Sequence, residues 1–178
     1  MTRTKLAITL VLAAVPALLT AANGAQPAKP LAEQVRRELI TLPFLSIFDS
    51  LRYEVKGDQV ILSGETIRPV MKSQAENVVK QLPGVATVVN NIEVLPLSPY
   101  DDRVRIAVAR AVYGFPALQR YSLGALPSIH IVVKNGSVTL KGVVATEMDR
   151  TLAFLRANGV PGTFQVNNEL TVAGRQTL

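Results

Sequence analysis

The residues that could carry out chemistry are few and scattered in this sequence. The single histidine, His130, has no second histidine and no cysteine to complete a usual metal site. As a base it would also need a nucleophile placed beside it, whereas its neighbours Ile129 and Ile131 indicate a partly buried histidine in a strand. We therefore predict neither a metal site nor a cofactor at His130.

Two acidic neighbours and several glycines are the remaining candidates. Asp101 and Asp102 could act as paired carboxylates, but they precede a helical pattern, where acidic side chains cap the helix and offset its dipole. Neither G-x-x-x-x-G-K-S/T nor G-x-G-x-x-G occurs, so the glycines are expected in turns and at strand ends. The sequence predicts a protein that is not an enzyme.

The N-terminus has the pattern of an export signal. Arg3 and Lys5 precede an apolar stretch from Leu6 to Leu19, and small residues follow up to Ala25. The apolar stretch is shorter than the ~20 residues of a spanning helix, which favours a cleaved signal over a membrane anchor. We assign residues 1–25 to this signal peptide and expect a periplasmic or otherwise exported protein.

Composition narrows the classes of partner. The absence of cysteine excludes disulfides and a lipid-anchored lipoprotein, and the net charge of +6 indicates an anionic partner. Nucleic acid, lipid and acidic protein would all satisfy the charge, but export argues against nucleic acid.

The chain contains an internal duplication. A shift of 78 residues aligns Val55–Val94 with Val133–Val172 without a gap, and eleven of the forty positions are identical. The chain is therefore predicted to contain two domains, residues 26–97 and 98–178. A short linker at 95–99, which contains two prolines, joins them.

Each copy has the same predicted order of elements. Residues spaced by four indicate a first helix, and alternating residues around Gly57-Asp58 or Asn135-Gly136 indicate a hairpin. A second helix and a last strand follow. The apolar residues that recur at helical spacing in this helix are Val70, Met71, Ala75, Val78, Val79 and Leu82 in the first copy and Met148, Leu152 and Leu155 in the second. The sequence predicts an α+β fold of two tandem αββαβ modules, each with two helices on a three-stranded mixed sheet.

These patterns resemble the BON domain, whose name stands for bacterial OsmY and nodulation. The hairpin pattern V-x-x-G-x-V-x-L-x-G and the last-strand pattern G-V-x-x-V-x-N-x-I/L-x-V carry the resemblance. The chain departs from the family at Thr163 and has about five extra residues around 119–127. The motif residues that we expect to be structural are Gly64, Gly84, Asn90, Asn135, Gly136, Gly142, Gly162 and Asn168.

The resemblance implies a function more loosely than a fold. Members are typically periplasmic or outer-membrane-associated, are linked to osmotic stress and envelope integrity, and are proposed to bind phospholipids. A tandem pair after a signal peptide is similar to the OsmY-type arrangement. Catalysis is not a property of the family.

The positive charge lies in the second module. Residues 26–97 contain eight basic and eight acidic side chains, whereas residues 98–178 contain nine basic and five acidic ones. Helical spacing places part of this charge beside apolar side chains on the two helices, away from the expected core. The candidate lipid-binding residues are Arg103, Ile106, Arg110, Tyr113, Arg150 and Phe154.

Two functions stay open at this point. The first is peripheral binding to anionic phospholipid membranes, in support of envelope integrity or osmotic stress tolerance. The second is a chaperone-like factor that holds protein clients through sheet edges or apolar patches. Alternatively, Ile106 and Tyr113 pack against the first module or against the segment 114–127, and the arginines are merely solvated.

Overall fold

The computed structural model describes residues 30–123 and 127–174, so the predicted signal peptide lies outside the described residues. The first module consists of α1 (Leu31–Ile40), β1 (Ser50–Lys56), β2 (Gln59–Thr66), α2 (Pro69–Lys80) and β3 (Thr87–Val94). The second consists of α3 (Pro99–Tyr113), a short 3-10 helix (Gln119–Ser122), β4 (Ile129–Lys134), β5 (Ser137–Val144), α4 (Glu147–Asn158) and β6 (Gln165–Val172).

Each module folds around a three-stranded mixed sheet. In the first, β2 lies between β1, its antiparallel partner, and β3, its parallel partner. In the second, β5 lies between β4 and β6 in the same way. Two helices cover one side of each sheet, and each module has its own hydrophobic core. The predicted α+β class and the two tandem αββαβ modules are confirmed.

One glycine in each module permits a close approach of two strands. Gly64 and Gly142 have φ angles of +113° and +118°. A β-carbon at these positions would lie 1.8 Å from the carbonyl oxygen of Ser50 and 2.0 Å from that of Ser128. No L side chain fits there without moving the backbone, which explains why both copies have glycine.

One asparagine in each module joins the last strand to the second helix. The Asn90 side-chain amide donates to the carbonyl of Lys72 at 2.9 Å, and its oxygen accepts from the backbone of Ile92. Asn168 makes the same two bonds, to Arg150 at 2.9 Å and from Leu170. The side chains thus bond to the backbone of their own strand and also reach the helix.

The β4–β5 hairpin is attached to α3 by an aspartate. Asn135 and Gly136 form the turn with positive φ angles, and their backbone N–H groups donate to the Asp101 carboxylate at 2.9 and 2.7 Å. The side chain that caps α3 is Ser98, which accepts from the backbone of Asp101. The predicted capping role of Asp101 is therefore wrong, although both aspartates lie in the first turn.

The second helix is rotated from the predicted orientation in the second module, whereas in the first module the predicted core face is confirmed except at Val70. In α2 the buried residues are Met71, Ala75 and Val79, while Val70 is exposed. In α4 the equivalent buried residues are Asp149, Ala153 and Ala157. Met148 and Leu155 are 67% and 55% exposed, so their assignment to the core face is wrong.

A buried polar network explains how an aspartate comes to face the core of α4. The Asp149 carboxylate accepts from the hydroxyl groups of Thr146 at 2.6 Å and Tyr121 at 2.9 Å, and it pairs with Arg120. Burial alone would raise the pKa of Asp149, but the two hydroxyl bonds and the Arg120 charge outweigh it and lower that pKa. Tyr121 lies in the extra segment of the second module, so this segment supplies one of the hydrogen bonds that satisfy the buried Asp149 carboxylate.

The modules contact each other through the sides of the sheets that carry no helix. Lys141 of β5 pairs with Glu65 of β2 at 2.7 Å, and Lys134 of β4 pairs with Glu93 of β3 at 2.5 Å. The backbone of Ile131 also donates to the carbonyl of Ile47 at 2.7 Å. Because the sheets lie inward, the helices of both modules face outward.

Candidate functional site

Three of the predicted residues share the outward side of α3. Arg103, Ile106 and Arg110 are all exposed, with Ile106 at 46%. Their spacing of three and four places them opposite Val104, Val108 and Val112, which are buried in the core. Within the described chain neither Arg103 nor Arg110 forms an ion pair, so both charges face solvent.

Tyr113 does not join that outward side. Its ring packs against the core of the second module, and its hydroxyl donates to the carbonyl of Ile129. Burial raises the pKa of the Tyr113 hydroxyl. The prediction that Tyr113 lies beside Ile106 in an exposed patch is therefore wrong, because the edge of β4 runs along this flank of α3.

Arg150 and Phe154 are half-buried on a flank of α4 beside β6. The carbonyl of Arg150 accepts the bond from Asn168, and its guanidinium pairs with Glu147 at 3.3 Å. These contacts restrain Arg150 and partly neutralise it. The predicted patch is consequently divided, with only the three α3 residues fully turned outward.

The structure adds apolar residues that the sequence reasoning missed. Met148 and Leu155 lie on the outward side of α4, next to α3 on the same side of the sheet. Phe164, just before β6, is 75% exposed, and its ring stacks on Tyr100 with centroids 5.8 Å apart. The Arg103 guanidinium lies 5.9 Å from the centre of the same Tyr100 ring, so Tyr100 contacts both side chains.

Together these residues form what we term the apolar–basic surface. It combines exposed apolar side chains with cationic ones and consists of Arg103, Ile106, Arg110, Met148, Leu155 and Phe164. The duplication contained a signal for two of them, because the shift of 78 residues aligns Leu155 with Asn77 and Phe164 with Ala86. Such a mixture suits the boundary between water and an anionic lipid layer better than it suits water alone.

The described residues contain no candidate cluster of metal ligands. No group of three or more His, Asp or Glu side chains in residues 30–123 and 127–174 could hold a metal ion. His130 is half-buried on β4, and burial lowers its pKa. In the same ranges no helix is long and apolar enough to cross a membrane.

Comparisons with solved structures found low similarity. CdsD, a structural protein of the type III secretion system of Chlamydia trachomatis, aligns with 14% identity and a TM-score of 0.31, over 81% of this chain and 93% of that chain. A structure of the C-terminal domain of CdsD aligns with 14% identity and a TM-score of 0.29, over 81% and 98%. Neither alignment bears on the function. No curated protein matches the chain significantly.

The family comparison agrees with the repeat. The profile of the BON domain matches residues 28–96 and again residues 118–174. The two matches fall in the two modules and together span most of the chain. BON domains are in general binding modules rather than enzymes; they are associated with osmotic stress and phospholipid binding, and their proteins are often periplasmic or membrane-associated. This chain therefore belongs to the BON domain family, with two tandem copies of the domain.

Proposed function

We propose that this protein is an exported envelope protein that binds reversibly to anionic phospholipid membranes through the apolar–basic surface of its second module. In this role it would support envelope integrity or osmotic stress tolerance. The observation that carries the proposal is the coincidence of exposed apolar side chains and unpaired arginines on one side of α3 and α4.

The expected strength follows from the number of contacts. Each arginine near an anionic surface contributes about 1 kcal/mol, so Arg103 and Arg110 together contribute about 2 kcal/mol. Insertion of Ile106 and neighbouring apolar side chains adds about 2–4 kcal/mol. The sum of about 4–6 kcal/mol corresponds to dissociation constants from about one millimolar to about forty micromolar, which is reversible peripheral contact.

Vesicle co-sedimentation tests the proposal with vesicles that contain phosphatidylglycerol and with vesicles of phosphatidylcholine alone. We expect binding to the anionic vesicles that weakens when salt rises from about 20 to about 150 mM, because screening shortens the reach of the arginine charges. Equal binding to both vesicles, or none to either, would contradict the proposal.

A matched pair of variants locates the surface. Arg103→Ala/Arg110→Ala should weaken anionic binding by about 30-fold, the equivalent of about 2 kcal/mol. Arg37→Ala/Lys80→Ala removes the same charge from exposed positions of α1 and α2 and should change it by less than about threefold. If both double variants weaken binding equally, binding depends only on the net charge of the protein and the apolar–basic surface is not the site.

The protein-binding alternative uses the same exposed apolar side chains. It predicts that the chain suppresses aggregation of an unfolded client without lipid, and that Met148→Ser/Leu155→Ser abolishes the effect while Arg103→Ala/Arg110→Ala does not. An outcome of that kind, together with absent vesicle binding, would replace the membrane proposal.

A further inference from the structure

An open cleft of about 900 Å³ lies between the two modules, on the side away from the apolar–basic surface. One wall comes from α1 and β1 of the first module, and the other from the helix-free side of the second sheet. Small-molecule sites are typically clefts of about 300–1,000 Å³ with mainly apolar walls and a few polar groups. The size of this cleft therefore fits a ligand-binding site.

Each wall of the cleft contributes apolar side chains. Ile40 of α1 and Val143 of β5 come from different modules, line the cleft and are 43% and 49% exposed. Leu51 and Tyr53 of β1 line the first wall beside them and are partly buried. Such a surface would be covered favourably by a hydrocarbon chain.

The lining of the cleft has more basic than acidic side chains, with Arg36, Arg52 and Lys141 against Asp49 and Glu169. Asp49 is fully buried, and its carboxylate already accepts bonds from Ser46, Thr66 and the backbone of Ile67. Lys141 is likewise engaged, by Glu65 at 2.7 Å and Glu169 at 3.6 Å.

Two arginines are free to bind an anion. Arg36 and Arg52 both line the cleft, both are exposed, and neither has an ion-pair partner among the described residues. These groups would complement the head of an amphiphile as the apolar walls complement its tail.

We propose that this cleft binds one molecule of an anionic single-chain amphiphile. The acyl chain lies against Ile40 and Val143, and the carboxylate or phosphate head is bound by Arg36 and Arg52. The site is separate from the membrane-contact surface and does not depend on the proposed function. It gives the module pair a ligand that neither module could enclose alone.

Isothermal titration calorimetry on the chain that begins at residue 26 tests the site, with all ligands below their micelle concentrations. The probes are laurate, which has a carboxylate head, lauroyl lysophosphatidylglycerol, which has a phosphate head, and the zwitterionic lauroyl lysophosphatidylcholine. We expect saturable 1:1 binding of one or both anionic probes, at least fivefold tighter than binding of the zwitterionic one. The anionic probe that binds more tightly identifies the head group.

Two variants and a control show where the probe binds. Val143→Trp fills the cleft from an exposed position and should weaken binding at least tenfold, and Arg36→Gln/Arg52→Gln should reduce the preference for anionic heads at least threefold. Val70→Trp, at a similarly exposed position on the outer side of the first module, should leave binding unchanged. Circular dichroism checks that each variant is folded.

The outcomes separate this inference from the proposed function. No saturable binding of either anionic probe, or binding that both cleft variants leave unchanged, would overturn it. Arg103→Ala/Arg110→Ala should leave probe binding intact, and Val143→Trp should leave vesicle binding intact. Either proposal can therefore fail without the other.

Discussion

The two modules of this protein share a framework and differ in what they present to the outside. Their buried positions correspond closely, with Gly64 and Gly142 at the same close strand approach and Asn90 and Asn168 making the same two bonds. Their outer sides have diverged, since Leu155 and Phe164 of the second module occupy the positions of Asn77 and Ala86 in the first. A duplicated module can thus acquire a new surface while its internal contacts are kept.

The shared framework is tested most severely at its glycines. Gly64→Ala and Gly142→Ala should each destabilise the protein by about 4 kcal/mol, because the new β-carbon would meet a carbonyl oxygen and the backbone has positive φ. Urea unfolding followed by circular dichroism measures the loss. Gly159→Ala, where a β-carbon has ordinary contacts, is the control and should cost less than about 1 kcal/mol. Equal effects at all three positions would mean that the close approach is not the cause.

Loss of the Asp101 carboxylate should destabilise the second module without destabilising the first. Asp101→Ala leaves the N–H groups of Asn135 and Gly136 without their acceptor, at a cost of about 3 kcal/mol. Hydrogen exchange should show faster exchange in the β4–β5 hairpin and little change in the β1–β2 hairpin. Equal acceleration in both hairpins would show that the modules unfold as one unit.

The difference in surfaces can be removed by giving the second module the residues of the first. Leu155→Asn/Phe164→Ala should weaken binding to phosphatidylglycerol vesicles by about 30-fold, since about 2 kcal/mol of apolar insertion is lost. Leu97→Ala removes an exposed leucine outside the apolar–basic surface and should leave binding unchanged. If Leu97→Ala weakens binding equally, the apolar contribution is not specific to that surface.

The smallest expected effect concerns the hydrogen-bond network around Asp149. This residue is the equivalent of Met71 in the first module. Because the folded state lowers the pKa of Asp149, its charge stabilises the protein above the ordinary carboxyl pKa of about 4. That stabilisation is lost as the pH falls through the lowered pKa. Asp149→Asn should therefore cost about 1 kcal/mol at neutral pH and less at acidic pH, as measured by urea unfolding. A cost that does not change with pH would contradict a role for the charge.

Much of the fold was predictable because its signals are local. The alternation of residues around Asn135-Gly136 and the helical spacing of Val104, Val108 and Val112 depend on neighbours within a few positions, and the structure confirms those elements. The rotation of α4 was mispredicted because apolar spacing alone favoured Met148 and Leu155 for the core. The small residues Ala153 and Ala157, with a buried aspartate, occupy it instead.

The candidate site was only partly predictable for the same reason. Arg103, Ile106 and Arg110 follow from one helix, so helical geometry was enough to place them on one side. Tyr113 is held against the core by its hydrogen bond to Ile129 and so does not reach the exposed surface. Phe164 belongs to that surface because its ring stacks on Tyr100, which is far away in the sequence. Contacts of this kind depend on how distant segments meet.

By itself, the sequence determined the duplication, the order of the elements and the excess of positive charge in the second module, because each is a property of composition or short-range pattern. Only the tertiary structure decided which side of α4 faces outward, which aromatic rings are exposed, and that a cleft lies between the modules. Those features arise from contacts such as Tyr121 with Asp149 and Lys141 with Glu65, which join residues that no local pattern relates.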